Sequence, residues 1–165
     1  KIAYSDRRKR GIKKAKKNGL TVKESSNYKQ YMDLVEGILR VKYDAKPVHS
    51  FDEIQKLAND FPDNIKLYVS VKKNDEILAG VIIYETKTVA HAQYIASSEE
   101  GRDNGALDLL FEYLIANYSE RKRYFDFGIS TEDNGRYLNT GLIEQKEGFG
   151  ARATVYDHYQ WDLKA

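Results

Sequence analysis

The stretch Tyr124-Phe-Asp-Phe-Gly-Ile-Ser130, followed by Gly141-Leu-Ile-Glu-Gln-Lys-Glu-Gly-Phe-Gly150, carries more information than any other part of the chain. The first segment is rich in aromatic residues and closes on a glycine, the pattern of a short buried strand. The second reads as a short helix stopped by Gly148, then a turn with an aromatic and a second glycine. In an α/β domain, ligands collect at such strand ends and at the helix that follows.

Working backwards, Gly105 to about Tyr118 is a mostly apolar helix, preceded by a polar loop from Ser98 to Asn104. Before it come three strands, Ile65 to Lys72, Glu76 to Thr86 and Val89 to Ser97, with Asn74-Asp75 and Lys87-Thr88 as turns. Ser50-x-x-Glu53 is a capping box that opens a helix. A helix from Ser25 or Ser26, a strand from Leu20 to Glu24 and a basic helix from Ser5 to Lys17 precede it. Working forwards, Arg123 to Ile129 is a strand, Arg136 to Glu147 a helix, and Ala153 to Leu163 a final strand. Meandering strands followed by a βαβ crossover predict an α/β fold with a mixed, mostly antiparallel sheet flanked by helices. The crossover length makes the Val89 and Arg123 strands parallel neighbours.

With 165 residues the chain forms one core of ordinary size. It has no cysteine, which removes disulfides and thiolate nucleophiles. No apolar run reaches membrane-spanning length. Net charge is +2, yet nine of the first seventeen residues are Lys or Arg against the single acid Asp6, so the remainder is net acidic. The expected division is residues 1–19 as a basic helix or linker and 20–165 as the domain. The basic helix has a thin apolar stripe, Tyr4, Ile12 and Ala15, which predicts loose packing. It reads as a solvated surface, a phosphate contact or a linker. The chain starts at Lys1, not methionine, so a trimmed fragment lacking a leader or an N-terminal domain is among the readings.

Four places carry candidate chemistry. In Gly101-Arg-Asp-Asn-Gly-Ala106, N–H groups at a helix start and Arg102 can receive an anion; a tight polar turn is the other reading. Asp126 alternates with Phe125 and Phe127, facing solvent or a cleft as base, orienting group or structural acid. Lys146, beside a glycine turn, holds an anion or caps a helix end. On the strand from Val89 to Ser97, alternation puts His91, Gln93 and Ile95 on one face and Ala90, Ala92, Tyr94 and Ala96 on the other. There is no HExxH, P-loop or GxSxG, and no metal is expected.

The Y-x-D-F-G strand and the G-L-x-x-x-K-x-x-F-G segment, with the basic S-x-R-R-x-x-I-x-x-A stretch from Ser5 to Ala15, resemble the FemABX-like branch of the GNAT acyltransferase superfamily. The resemblance implies a GNAT-like fold and transfer of an acyl or aminoacyl group to an amine. The implied acceptor is a small molecule or a cell-wall or surface-polysaccharide precursor. Acyl-CoA, acetyl-CoA in the ordinary case, is the implied co-substrate; aminoacyl-tRNA is the rarer donor, and the helical hairpin of the tRNA-dependent members is absent. Arg102, Asn104, Gly105 and Ala106 align with the coenzyme A diphosphate loop, except that Leu107 stands where that loop has Gly or Ala. The resemblance implies catalytic roles for Lys146 at an oxyanion, Asp126 or His91 at the amine proton, and Tyr137 at the leaving thiolate; Tyr94 and Phe149 are the substrate-lining candidates. A cytoplasmic location and a tandem GNAT half or homo-oligomer accompany it. The rival reading is a non-catalytic GNAT-like half that binds an acceptor or a partner chain.

Overall fold

Long apolar runs build the centre of the molecule. The structure, a computed structural model, describes residues 3–155, 157 and 159–161. Thr21–Ser25 (β1), Ile65–Val71 (β2), Ile77–Glu85 (β3) and Val89–Ser97 (β4) pair antiparallel in succession. Tyr124–Asp126 (β5) adds to β4 in parallel, giving the order β1-β2-β3-β4-β5. Strands β2 and β3 are covered on both faces, so their sequences read as apolar runs and not as alternations.

Helices Asp6–Lys17 (α1) and Ala106–Tyr118 (α5) cover one face; Tyr28–Tyr43 (α2) and Phe51–Asp60 (α3) cover the other. Glu99–Asn104 (α4) links β4 to α5. After β5 come a hairpin of Thr131–Glu132 (β6) and Tyr137–Leu138 (β7), then Thr140–Glu147 (α6). The expected mixed, mostly antiparallel sheet flanked by helices is present, as is the parallel β4–β5 pair. Among the described residues no helix is long and apolar enough to cross a membrane.

Several segments differ from the sequence reading, each for a local reason. Ser98 to Asn104 is helical, not a loop: the Ser98 side chain caps the Gly101 N–H, and Glu99 and Glu100 sit in the positive first turn. Strand β5 stops at Asp126, because Gly128 turns away with φ +74 and the Asp126 carboxylate caps its N–H at 2.8 Å. Left-handed Asp133, Asn134 and Gly135 make a hairpin tip where a helix start was expected, so α6 begins only at Thr140, capped by Asn139. Of the expected final strand, the described residues between Ala153 and Trp161 form none; Tyr156, His158 and 162–163 lie outside the described residues.

The basic helix is the largest departure. Its stripe is narrow, yet Ile12 and Ala15 are buried with α5 in the core, and Arg8 is buried as well. Arg8 forms an ion pair with Asp108 at 2.5 Å and stands over the Phe149 ring. Close backbone approach does the rest: a Cβ on Gly105 would lie 2.3 Å from the Gly11 carbonyl oxygen. Small residues, not a wide apolar face, let the two helices meet.

At the other end of the same face, Glu85 is buried and accepts from the Tyr118 hydroxyl at 2.6 Å. Lys122 at 3.1 Å, Arg121 at 3.5 Å and Lys66 at 3.9 Å surround it. Burial pushes this carboxyl up, but the Tyr118 hydrogen bond and the lysines outweigh it and hold Glu85 below the ordinary range.

Two outcomes follow from this packing. Ile12→Ala should lower the unfolding free energy by about 3 kcal/mol in a denaturant titration, the range of a core deletion; a change near zero would mean that α1 is only loosely attached. Glu85→Gln should cost about 2 kcal/mol at neutral pH by removing the buried anion that the Tyr118 hydroxyl and the surrounding cations meet. A depressed carboxyl stabilises above its unfolded pKa and loses that stabilisation as pH falls through its folded one. The difference between parent and Glu85→Gln should therefore shrink below about pH 4.5, and a pH-independent difference would contradict the ionic account.

Candidate active site

Register assembles the site. Tyr84 of β3 faces His91 of β4, and His91 faces Asp126 of β5, so three polar side chains form a row across three strands. His91 Nδ1 lies 2.7 Å from Asp126 Oδ2, and Nε2 lies 3.1 Å from Gln93 Oε1. Two proton placements satisfy this geometry: an imidazolium donating on both sides, or a neutral ring with the Gln93 amide turned to donate to Nε2. In the second, Nδ1–H is held by Asp126 and the unprotonated Nε2 accepts from the Gln93 amide. Phe125 and Phe127 point the other way, into an aromatic cluster with Phe111 and Phe149. That places Asp126 opposite to them, half-exposed, as alternation predicted.

A β-bulge alters the rest of β4. Ile83 faces Ala92 but Ile82 faces Tyr94, so Gln93 is one residue too many. The phase of the strand flips there. Ala90 and Ala92 pack with α5, whereas Tyr94 and Ala96 pack with α2 and α3. Tyr94 thus lies on the same face as His91, not the opposite one. Its hydroxyl is 2.7 Å from His49 Nδ1 and accepts from the His49 N–H at 3.1 Å. His49 sits between α2 and α3, where nothing in the sequence marked it. Gln93 was noted only as sharing a face with His91.

Lys146, near the end of α6, donates to the carbonyls of Gly128 at 3.0 Å and Ile129 at 2.5 Å. Two of its three N–H groups are used; among the described residues the third has no acceptor. Burial pushes its pKa below the ordinary lysine value, and the Asp126 charge acts in the opposite direction. Lys146, Asp126, His91 and Gln93 therefore belong to one polar group, at the point where β5 leaves β4. Beyond His91 no strand among the described residues lies beside the outer edge of β4.

The expected diphosphate loop lies past the far end of β4. His91 to Ser97 spans about 20 Å of strand, and Arg102 lies past Ser97, donating to its carbonyl at 2.8 Å with the side chain otherwise exposed. The structure does not bring Arg102 into contact with the Lys146 group. Asn104 accepts from Asn18 at 2.6 Å, Gly105 abuts Gly11, and Ala106 is wholly buried, so α1 engages this loop. Asp108 occupies the first turn of α5 and is paired with Arg8. Two other candidates move. Tyr137 is on β7, 59% exposed, rather than on a helix. Phe149 is 1% exposed in the aromatic core, so it packs and does not line a substrate.

The sequence profile of the acetyltransferase (GNAT) domain matches residues 5–137. No curated protein sequence matches the chain. Among solved structures, a possible acetyltransferase from Clostridium difficile 630 superposes with a TM-score of 0.67 at 12% identity, over 88% of this chain and 99% of that one. FemX superposes with a TM-score of 0.70 at 14% identity, over 89% of this chain; the match spans 54% of FemX. An aminoglycoside acetyltransferase from an uncultured soil metagenomic sample, in complex with sisomicin, gives 0.62 at 18% identity, over 90% and 99% of the two chains. At these identities the likeness is one of fold.

The coupling between Lys146 and Asp126 is measurable. Asp126→Asn removes the charge that favours the ammonium, so Lys146 should titrate at lower pH in the variant than in the parent, read from its ε-methylene NMR shifts. An unchanged or raised midpoint would separate Lys146 electrostatically from Asp126.

Proposed function

Because the chain belongs to the acetyltransferase (GNAT) domain family, we propose that it is an N-acyltransferase using an acyl-CoA donor, acetyl-CoA first, and the amine of a sugar or glycan-precursor acceptor. The observation that carries the reading is the His91–Asp126 pair beside a half-buried lysine at the mouth of the β4–β5 opening. Polar side chains around it, Gln93, Tyr94 and His49, suit a hydroxylated amine.

The thioester supplies an activated acyl carbon. The rest of the chemistry falls to the chain. Asp126 holds the Nδ1–H of His91, leaving Nε2 to take the proton of the attacking amine once the Gln93 amide yields. As the C–N bond forms the C–S bond breaks, and the coenzyme A thiolate leaves and takes up a proton, balancing the one His91 holds and later returns to solvent. Lys146 Nζ, fixed by the Gly128 and Ile129 carbonyls, offers its remaining N–H to the acyl oxygen as negative charge develops. The free edge of β4 is suited to an extended donor arm. At its far end Arg102 is the charge available to a diphosphate, since α1 and Asp108 close the first turn of α5.

That closure, and the two Lys146 donors already spent on backbone carbonyls, favour one other reading: a half-domain that binds an acceptor or a partner chain without catalysis.

Steady-state kinetics separate the two. Lys146→Ala should lower kcat by about 100-fold, the cost of one oxyanion donor, with little change in the donor KM. Arg102→Ala should raise the donor KM and spare kcat, because a diphosphate contact is equal in ground and transition states. Unchanged turnover in Lys146→Ala removes its role. A parent chain that binds no acyl donor in an acetyl-CoA titration supports the binding half-domain.

A further inference from the structure

We propose that Tyr31 is a positioning residue for acyl transfer, acting by holding the bulged edge of β4 in place. The proposal rests on the reading that the β4–β5 opening receives the donor.

Tyr31, on α2, is completely buried. Its ring lies directly on Gly80 of β3, where an added Cβ would come within 2.4 Å of a ring carbon. Its hydroxyl is 2.9 Å from the Gly80 carbonyl and 3.0 Å from the Tyr94 carbonyl. With one proton shared between two acceptor carbonyls, this hydroxyl bridges β3 to β4 just past the bulge.

The place is informative. A bulge breaks the local ladder and leaves backbone groups needing other partners. From Gln93 to Ser97, β4 pairs with β3 alone among the described residues, because pairing with β5 ends at His91. Tyr31 adds a contact from α2 to the Gly80 and Tyr94 carbonyls, and His49 fixes the Tyr94 side chain from the same side of the sheet. An extended donor lying along β4 would meet an edge whose register depends on these contacts. Small displacements of such an edge cost rate and affinity steeply.

Tyr28 provides the control. It lies one turn earlier on α2, is buried, and donates to a backbone carbonyl as well, that of Ile65 on β2 at 3.1 Å. A purely structural role would make the two hydroxyls equivalent. The experiment compares Tyr31→Phe and Tyr28→Phe in the whole chain by thermal melting, acetyl-CoA titration calorimetry and amide hydrogen exchange. The expected result is a similar small loss of melting temperature in both. Tyr31→Phe alone should weaken acetyl-CoA binding about tenfold, the worth of one buried hydrogen bond, and speed exchange at Gln93 to Ala96. Tyr28→Phe should stay within about twofold of the parent. Equal affinity in all three proteins, or equal losses in both variants, overturns the proposal. A parent that does not bind acetyl-CoA removes the transferase reading and the donor part of this proposal with it; selective exchange at Gln93 to Ala96 then decides on its own whether Tyr31 holds the β4 edge.

Discussion

Parallel pairing of β4 with β5 covers three residues and ends at His91 and Asp126. A ladder this short cannot hold a strand by its own hydrogen bonds. What holds β5 is the packing of Phe125 and Phe127 against Phe111 and Phe149 on the face toward α5. Asp126, between the two phenylalanines, is thereby pressed against His91 on the opposite face. The same early departure leaves the outer edge of β4 open, and the Gly128 and Ile129 carbonyls that follow become the seat of Lys146. Position of the carboxylate, opening of the sheet and seating of the lysine all trace to where the ladder stops.

Helix α1 works on the same arrangement from behind. Arg8 joins Asp108 on α5 to the Phe149 ring, and the Ser5 N–H donates to the Gly148 carbonyl at 2.8 Å. The segment after Lys146 is therefore tied to the scaffold through a helix whose outward side is almost all cationic. Burial pushes the Asp108 carboxyl up, and the Arg8 guanidinium beside it opposes that shift. A charge pair so placed contributes more to where the helices meet than to net stability, since desolvation offsets much of its attraction.

Periodicity made the helices and the meander legible, together with the capping box at Ser50 and Glu53, which forms with both reciprocal bonds. The orientation of Asp126 followed from alternation with Phe125 and Phe127. Alternation failed at Tyr94, because the extra residue at Gln93 reverses the phase of β4 and a bulge leaves no mark in the pattern. Phe149 was a substrate-lining candidate under the family resemblance; three aromatic rings that gather on it from distant segments pack it into the core. The weight of α1 was hidden for a similar reason. Gly11 and Gly105 are silent in a hydrophobic pattern and allow contact only where a partner helix lies close.

By itself the sequence determined the kinds and order of the elements from α1 to β5, α4 apart, and the residue types able to do acid–base and anion chemistry. These depend on neighbours within a few positions: alternation, capping and glycine punctuation. Tertiary structure alone decided which of those residues meet. His91 finds Asp126, 35 positions later in the chain, across a short parallel ladder, and Lys146 reaches back 18 positions to Gly128. The same long-range packing spends Gly105 and Asn104 on α1 and sends Tyr31 under the bulge of β4. Such encounters are set by register, bulge phase and close packing between elements far apart in the chain, and local pattern carries no record of them.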